Sequence, residues 1–285
     1  MKTKVDGRTM PNSERHRLNL NTEKMIAEKS DGVGWLTFNQ PEKRNAVSLE
    51  MWQGIGDALE QFEHDQSIRV VVMSGAGGKA FASGADISEF DKHRSNAQQR
   101  AEYGEVAGRG NYWLGKFSKP LIAMIDGFCI GGGLAISLNA DVRFATPRSS
   151  FGVPAAKLGL GYEYAGLAKL ARLVGPSRAR DIMMTGRFMP ANEAFGMGLI
   201  NFVVDENDIE SAVDAYVAKI AANAPLTVRA AKAAVNTFEK YSQLERDGEA
   251  ATEVAELVDA CFDSEDYKEG RKAFAEKRAP NFVGR

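Results

Sequence analysis

The chain has 285 residues, long enough for one large domain or two small ones, and its 44% hydrophobic and 26% charged content is ordinary for a globular protein. Lysine and arginine total 36 against 38 aspartates and glutamates, a formal net charge of −2, so no global field draws the protein to nucleic acid or to a membrane surface. Cys129 and Cys261 lie far apart in apolar surroundings and read as buried, reduced thiols; His16, His64 and His93 stand at no ligand spacing, so no metal is expected.

In chain order, residues 1–22 are polar and lack an apolar segment, which reads as a flexible leader and a cytoplasmic protein. Residues 25–28 and 33–38 are β-prone runs around Ser30-Asp31-Gly32, the pattern of a hairpin. From Ser48 the period changes. Leu49, Trp52, Ile55, Leu59 and Phe62 recur every three or four residues, which predicts an amphipathic helix over 48–65 with Ser48 as N-cap. A buried strand follows at 70–73, then a glycine-rich loop, and residues 86–114 read as a charged helical stretch carrying Tyr103, Tyr112 and Trp113.

Residues 120–125 predict a strand running into Gly131-Gly132-Gly133 and a helix over 132–139, with the next strand at 142–145. From Glu206 the periodicity is helical: 209–223, 226–239, 242–262 and 264–278, the second helix after Ala224-Pro225 and the last ahead of Pro280. The expectation is an α/β body with a helical C-terminal module, divided near 204–207.

Two glycine-rich turns carry the chemistry. Residues 77–90 (GGKAFASGADISEF) place small residues between a strand and a helix, where backbone N–H groups can converge; the plain alternative is a turn in which Ser83 or Asp86 caps the next helix. The glycine triplet opens a second helix, whose first N–H groups have no intrahelical partner. Neither stretch follows GxGxxG or the GK[ST] phosphate loop, which speaks against a nucleotide site. Two such turns aimed at one oxygen would make an oxyanion hole.

The ordered set PEKRNAVSLEM, KAFASGADI, KPLIAMIDGFCIGGGLAISLNADVRFA, FGVPAAKLGLGYEYAG, MTGRFMPANEAFGMGLINFVV and EGRKAFAEKRAPNF resembles the crotonase (enoyl-CoA hydratase/isomerase) superfamily over residues 25–282. The resemblance implies an α/β fold, a spiral of repeated ββα units over 23–205, with a helical trimerisation module over 206–285. It implies a homotrimer or dimer of trimers acting on an acyl-CoA thioester, with no separate cofactor because coenzyme A is part of the substrate. By motif, the two oxyanion donors would be the N–H groups of Ala85 and Gly132. Coenzyme A contacts would fall to Lys43, Arg44 and Ala46, to Ala82, Gly84, Asp86 and Ile87, and to Phe274 and Lys277, the last two reaching a neighbouring subunit.

One departure matters. The two glutamates with which hydratases of this superfamily handle water fall at Ala135 and Ala155, and neither alanine transfers a proton. Isomerases and dehalogenases of the superfamily place an aspartate in the following turn, where this chain has Glu163. A carboxylate between Tyr162 and Tyr164 facing an acyl pocket would serve as general acid or base; the alternative is a solvent-exposed loop glutamate. Tyr103, Tyr162 and Tyr164 are weaker candidates for binding the acyl group, since an aromatic there is more often pocket wall. Double-bond isomerisation leads, with unconventional hydration, thioester hydrolysis, decarboxylation and non-catalytic acyl-CoA binding as alternatives.

Overall fold

The computed structural model describes residues 14–86, 97–162, 164–240 and 249–285. Strand β1 (His16–Arg17) pairs antiparallel with β2 (Met25–Ser30), so part of the segment read as a leader is an edge strand. The hairpin forms as expected: β2 pairs with β3 (Val33–Phe38) across Asp31 and Gly32, both at positive φ (48° and 81°), the backbone that matches strand twist in a two-residue turn. Helix α1 (Leu49–His64) begins where Ser48 accepts a hydrogen bond from the Met51 N–H.

From there the chain repeats one pattern, in which a longer strand joins a large sheet and a three-residue strand joins a small one. The successive pairs are β4 (Val70–Gly75) with β5 (Ala80–Ala82), β6 (Leu121–Ile125) with β7 (Phe128–Ile130), and β8 (Val142–Ala145) with β9 (Ser150–Gly152). Helices α2 (Ala97–Lys116), α3 (Gly132–Ser137) and α4 (Tyr164–Val174) follow the three pairs in turn, α4 after a short 3-10 turn at Pro154–Leu158. Helix α5 (Pro176–Thr185), strand β10 (Met189–Pro190), helix α6 (Ala191–Gly196) and strand β11 (Phe202–Val203) complete the body. The large sheet has the order β1-β2-β3-β4-β6-β8-β11 and the small one β10-β9-β7-β5. Within them β4, β6 and β8 are parallel, as are β5, β7 and β9.

Alternation along the strands gives the large sheet two buried faces. Leu36, Val71, Met73, Leu121 and Ala123 pack with Met51, Ile55, Leu59 and Phe62 of α1. Trp35, Val70, Val72, Ile122 and Phe144 meet Ile209, Val213 and Val217 of α7 (Ile209–Ala221) on the other face. Helices α8 (Pro225–Lys240), α9 (Glu249–Asp263) and α10 (Glu265–Glu276) follow, α9 packing on α8 and α10.

Two further expectations need correction. The segment entering the glycine triplet is two strands, because Asp126 and Gly127 (φ 79°) turn the chain from the large sheet to the small one. Cys129 is buried and free, but Cys261 is only part-buried. Among the described residues no helix is long and apolar enough to cross a membrane, and no cluster of His, Cys, Asp or Glu is able to hold a metal ion.

Candidate active site

The first glycine turn is shaped by the strap of chain before α1. Arg44 and Asn45 both adopt the left-handed conformation (φ 52° and 55°), which folds residues 41–47 back along the end of β5. Asn45, fully buried, locks the fold-back: its Oδ1 accepts from the Gln40 N–H at 2.9 Å, and its Nδ2 donates to the carbonyls of Ala76 (3.0 Å) and Ala80 (2.7 Å). The strap then pairs with the turn, Val47 donating to the Gly84 carbonyl (2.7 Å) and accepting from the Asp86 N–H (3.0 Å). In extended backbone successive N–H groups point to opposite sides, so with Asp86 facing the strap, the Ala85 N–H faces away from it.

The second turn leaves β7 and enters α3. The Gly131 N–H donates to the Gly152 carbonyl at 2.8 Å, tying the turn to β9, and Gly131 takes φ 55° and ψ −116°, a conformation open to glycine. Gly133 lets the helix lie against β5, since a Cβ there would stand 2.1 Å from the Ala82 carbonyl oxygen. Gly132 is the first residue of α3, so its N–H has no carbonyl four residues back to bond.

These two turns meet. A Cβ built on Gly132 would lie 3.5 Å from the Ala85 nitrogen, and one built on Gly84 would lie 4.0 Å from the Gly132 nitrogen. The amides of Ala85 and Gly132 therefore border one small space, and among the described residues neither N–H has a protein acceptor. Two convergent N–H donors suit one oxygen carrying developing negative charge.

Lys43 Nζ pairs with the Asp86 carboxylate at 2.7 Å, fastening strap to turn, and Asp86 is 6% exposed. The Arg44 guanidinium lies 5.1 Å from the centre of the Phe128 ring, and the Ala46 N–H donates to the Lys43 carbonyl. Ala82 ends β5, buried beneath Gly133. Lys43, Arg44, Ala46, Ala82, Gly84, Ala85, Asp86 and Gly132 thus share one region. Phe274, 87% exposed on α10, and Lys277, the left-handed cap of that helix, have no described hydrogen bond or ion pair to it.

Ala135 is half-buried, one turn into α3, and Ala155 is buried in the 3-10 turn. Glu163 and Ile87 lie outside the described residues, as does the Tyr103 side chain. Tyr164 is 83% exposed, whereas the half-buried Tyr162 directs its hydroxyl to the Gly131 carbonyl oxygen at 3.3 Å. Cys129, just before the triplet, is no nucleophile: burial pushes its thiol up to about 12, so it stays protonated at neutral pH. Asn45 is the residue that sequence reasoning passed over. A polar residue inside a charged, turn-forming run signals no burial by itself.

The fold thus brings two backbone N–H donors, those of Ala85 and Gly132, close to one another. The family model for enoyl-CoA hydratase/isomerase matches residues 28–285, and the chain belongs to that family. The chain is 33% identical over 254 residues to the short-chain-enoyl-CoA hydratase of Clostridium acetobutylicum, spanning 89% of this chain and 95% of the relative. It is 33% identical over 263 residues to the crotonyl-CoA hydratase of Syntrophomonas wolfei, spanning 92% and 99%. Among solved structures, the enoyl-CoA hydratase/carnithine racemase of Magnetospirillum magneticum superposes with a TM-score of 0.85 at 36% identity, covering 93% of this chain and 97% of that one.

Proposed function

We propose that this family member holds an acyl-CoA thioester carbonyl between the N–H groups of Ala85 and Gly132 and stabilises the enolate formed when a proton leaves the acyl chain. The observation that carries the reading is the approach of the two amides around one space, 3.5 Å from the Ala85 nitrogen to a Cβ built on Gly132. Electrons released by the departing proton move onto the thioester oxygen, where two fixed donors meet them.

The reaction we favour is double-bond isomerisation, with Glu163 as the proton carrier. Isomerisation needs one acid–base group, which takes a proton from one carbon and returns it to another. Hydration needs a water to be placed and activated, and alanine stands at both 135 and 155. The names of the hydratase relatives favour hydration as the second reading, by a route that does not use those two positions. Lys43 and Arg44 supply positive charge for the coenzyme A phosphates. Phe274, exposed on α10, would complete the site of a second copy in a trimer or a dimer of trimers.

A panel of coenzyme A thioesters analysed by mass spectrometry tests the reading. An isomer of equal mass resolved by chromatography supports it, and a product heavier by one water supports the second reading. Binding without product identifies a non-catalytic acyl-CoA binder. Glu163→Gln is expected to abolish turnover while thioester binding survives; unchanged turnover overturns the role of Glu163.

A further inference from the structure

The carbonyl of Gly131 and the N–H of Gly132 belong to one peptide unit. That carbonyl oxygen is bonded on its far side, by the Ala135 N–H at 3.0 Å and by the Tyr162 hydroxyl at 3.3 Å. The tyrosine is held for this contact: it is half-buried, its ring packs against the main core, and Gly166 leaves room for it. A Cβ on Gly166 would stand 3.2 Å from the ring.

From this geometry, and resting on the oxyanion reading above, we propose that Tyr162 is a positioning residue for the reaction. Its hydroxyl acts through the Gly131–Gly132 peptide. A hydrogen bond donated to an amide oxygen draws electron density from the amide nitrogen and makes its N–H a stronger donor, and bonds in such a chain reinforce one another. It also holds the peptide plane, and so the direction of the Gly132 N–H, at a turn whose glycines impose little rotational restraint. The phenol need not touch the substrate: it strengthens and aims the donor that does. Ala135, which donates to the same oxygen from within α3, makes the second half of the cradle.

The test uses the whole protein and crotonyl-CoA labelled with carbon-13 at the thioester carbonyl. Infrared difference spectra read how far the bound carbonyl stretch moves to lower wavenumber, and calorimetry reads Kd. We expect a clear downshift for the native protein and a smaller one for Tyr162→Phe, with Kd altered by less than about twofold because coenzyme A supplies most of the affinity. On a thioester that the enzyme turns over, kcat should fall about tenfold in the same variant, the scale of one hydrogen bond, with KM little changed. Incorporation of 3-fluorotyrosine at 162 keeps the ring and strengthens the phenol as donor, so the downshift should exceed the native one, which a packing role would not cause. An unchanged downshift in both variants overturns the role of Tyr162 and leaves the oxyanion site standing. A bound thioester with no downshift in the native protein overturns the oxyanion reading itself, and Tyr162 with it.

Discussion

A methyl group on Gly132 would stand 3.5 Å from the amide nitrogen of Ala85, against the Gly84–Ala85 peptide. That is ordinary van der Waals contact, and the Gly132 backbone does not require glycine. Gly132→Ala is therefore expected to fold and to block the oxygen site, lowering kcat about 100-fold or more with a melting temperature near the native one. Gly84→Ala differs. At φ +115° a side chain strains the backbone, so both activity and melting temperature should fall. Steady-state rates and thermal melts of the two variants side by side separate blocking from unfolding.

Asn45→Ala should be among the most destabilising substitutions of a small polar residue in this chain. It leaves the Gln40 N–H and the carbonyls of Ala76 and Ala80 without that partner and puts alanine at φ 55°. The expected loss is about 3 kcal/mol, read as a lower urea midpoint. Because the strap also orients residues 84–86, thioester affinity should fall in the folded fraction.

Lys43→Glu places a carboxylate beside Asp86, where an ammonium now pairs with it. Lys43 is half-exposed but Asp86 is buried, so losing the pair and gaining a like charge should cost about 2 kcal/mol. If Lys43 also faces the coenzyme A phosphates, Kd for free coenzyme A should rise about tenfold and the effect should shrink as salt increases. Calorimetry at two ionic strengths reads both quantities.

Asp65 carries a pH dependence whose sign follows from its partners. Burial opposes its ionisation, but Lys29 Nζ at 2.6 Å and the hydroxyl and N–H of Ser67 at 2.6 and 2.9 Å outweigh burial and hold the carboxyl down at about 2. A folded-state pKa below the unfolded value means stability present above about pH 4 and lost as pH falls toward 2. Asp65→Asn should cost on the order of 1 kcal/mol at pH 7, after solvent screening, and nearly nothing at pH 2. Denaturation at both values checks it; an equal deficit at the two would show that the carboxylate charge contributes nothing.

The hairpin at Asp31-Gly32, the amphipathic helix capped by Ser48 and the buried run Val70 to Met73 were legible because each rests on local rules: turn residues, periodicity and a cap. The small sheet was not. Ala80–Ala82, Phe128–Ile130 and Ser150–Gly152 have three residues each, too short for alternation to register, and they exist only because each lies beside the next. Asn45 escaped notice for a related reason, since a polar residue becomes buried only where the strap folds over it.

By itself the sequence determined that two glycine turns each offer unpaired N–H groups, that alanine stands at 135 and 155, and that Glu163 follows in the chain. The order of motifs already pointed to the family that the comparisons establish. Tertiary structure decided that the amides of Ala85 and Gly132 share one space, and that the Tyr162 phenol turns to the back of the Gly132 peptide. Hydrogen-bonding capacity is written in the chain residue by residue. The direction of an N–H is set by what holds the rest of its peptide, and here Val47 holds the Gly84 carbonyl and Tyr162 the Gly131 carbonyl, both from other segments of the chain.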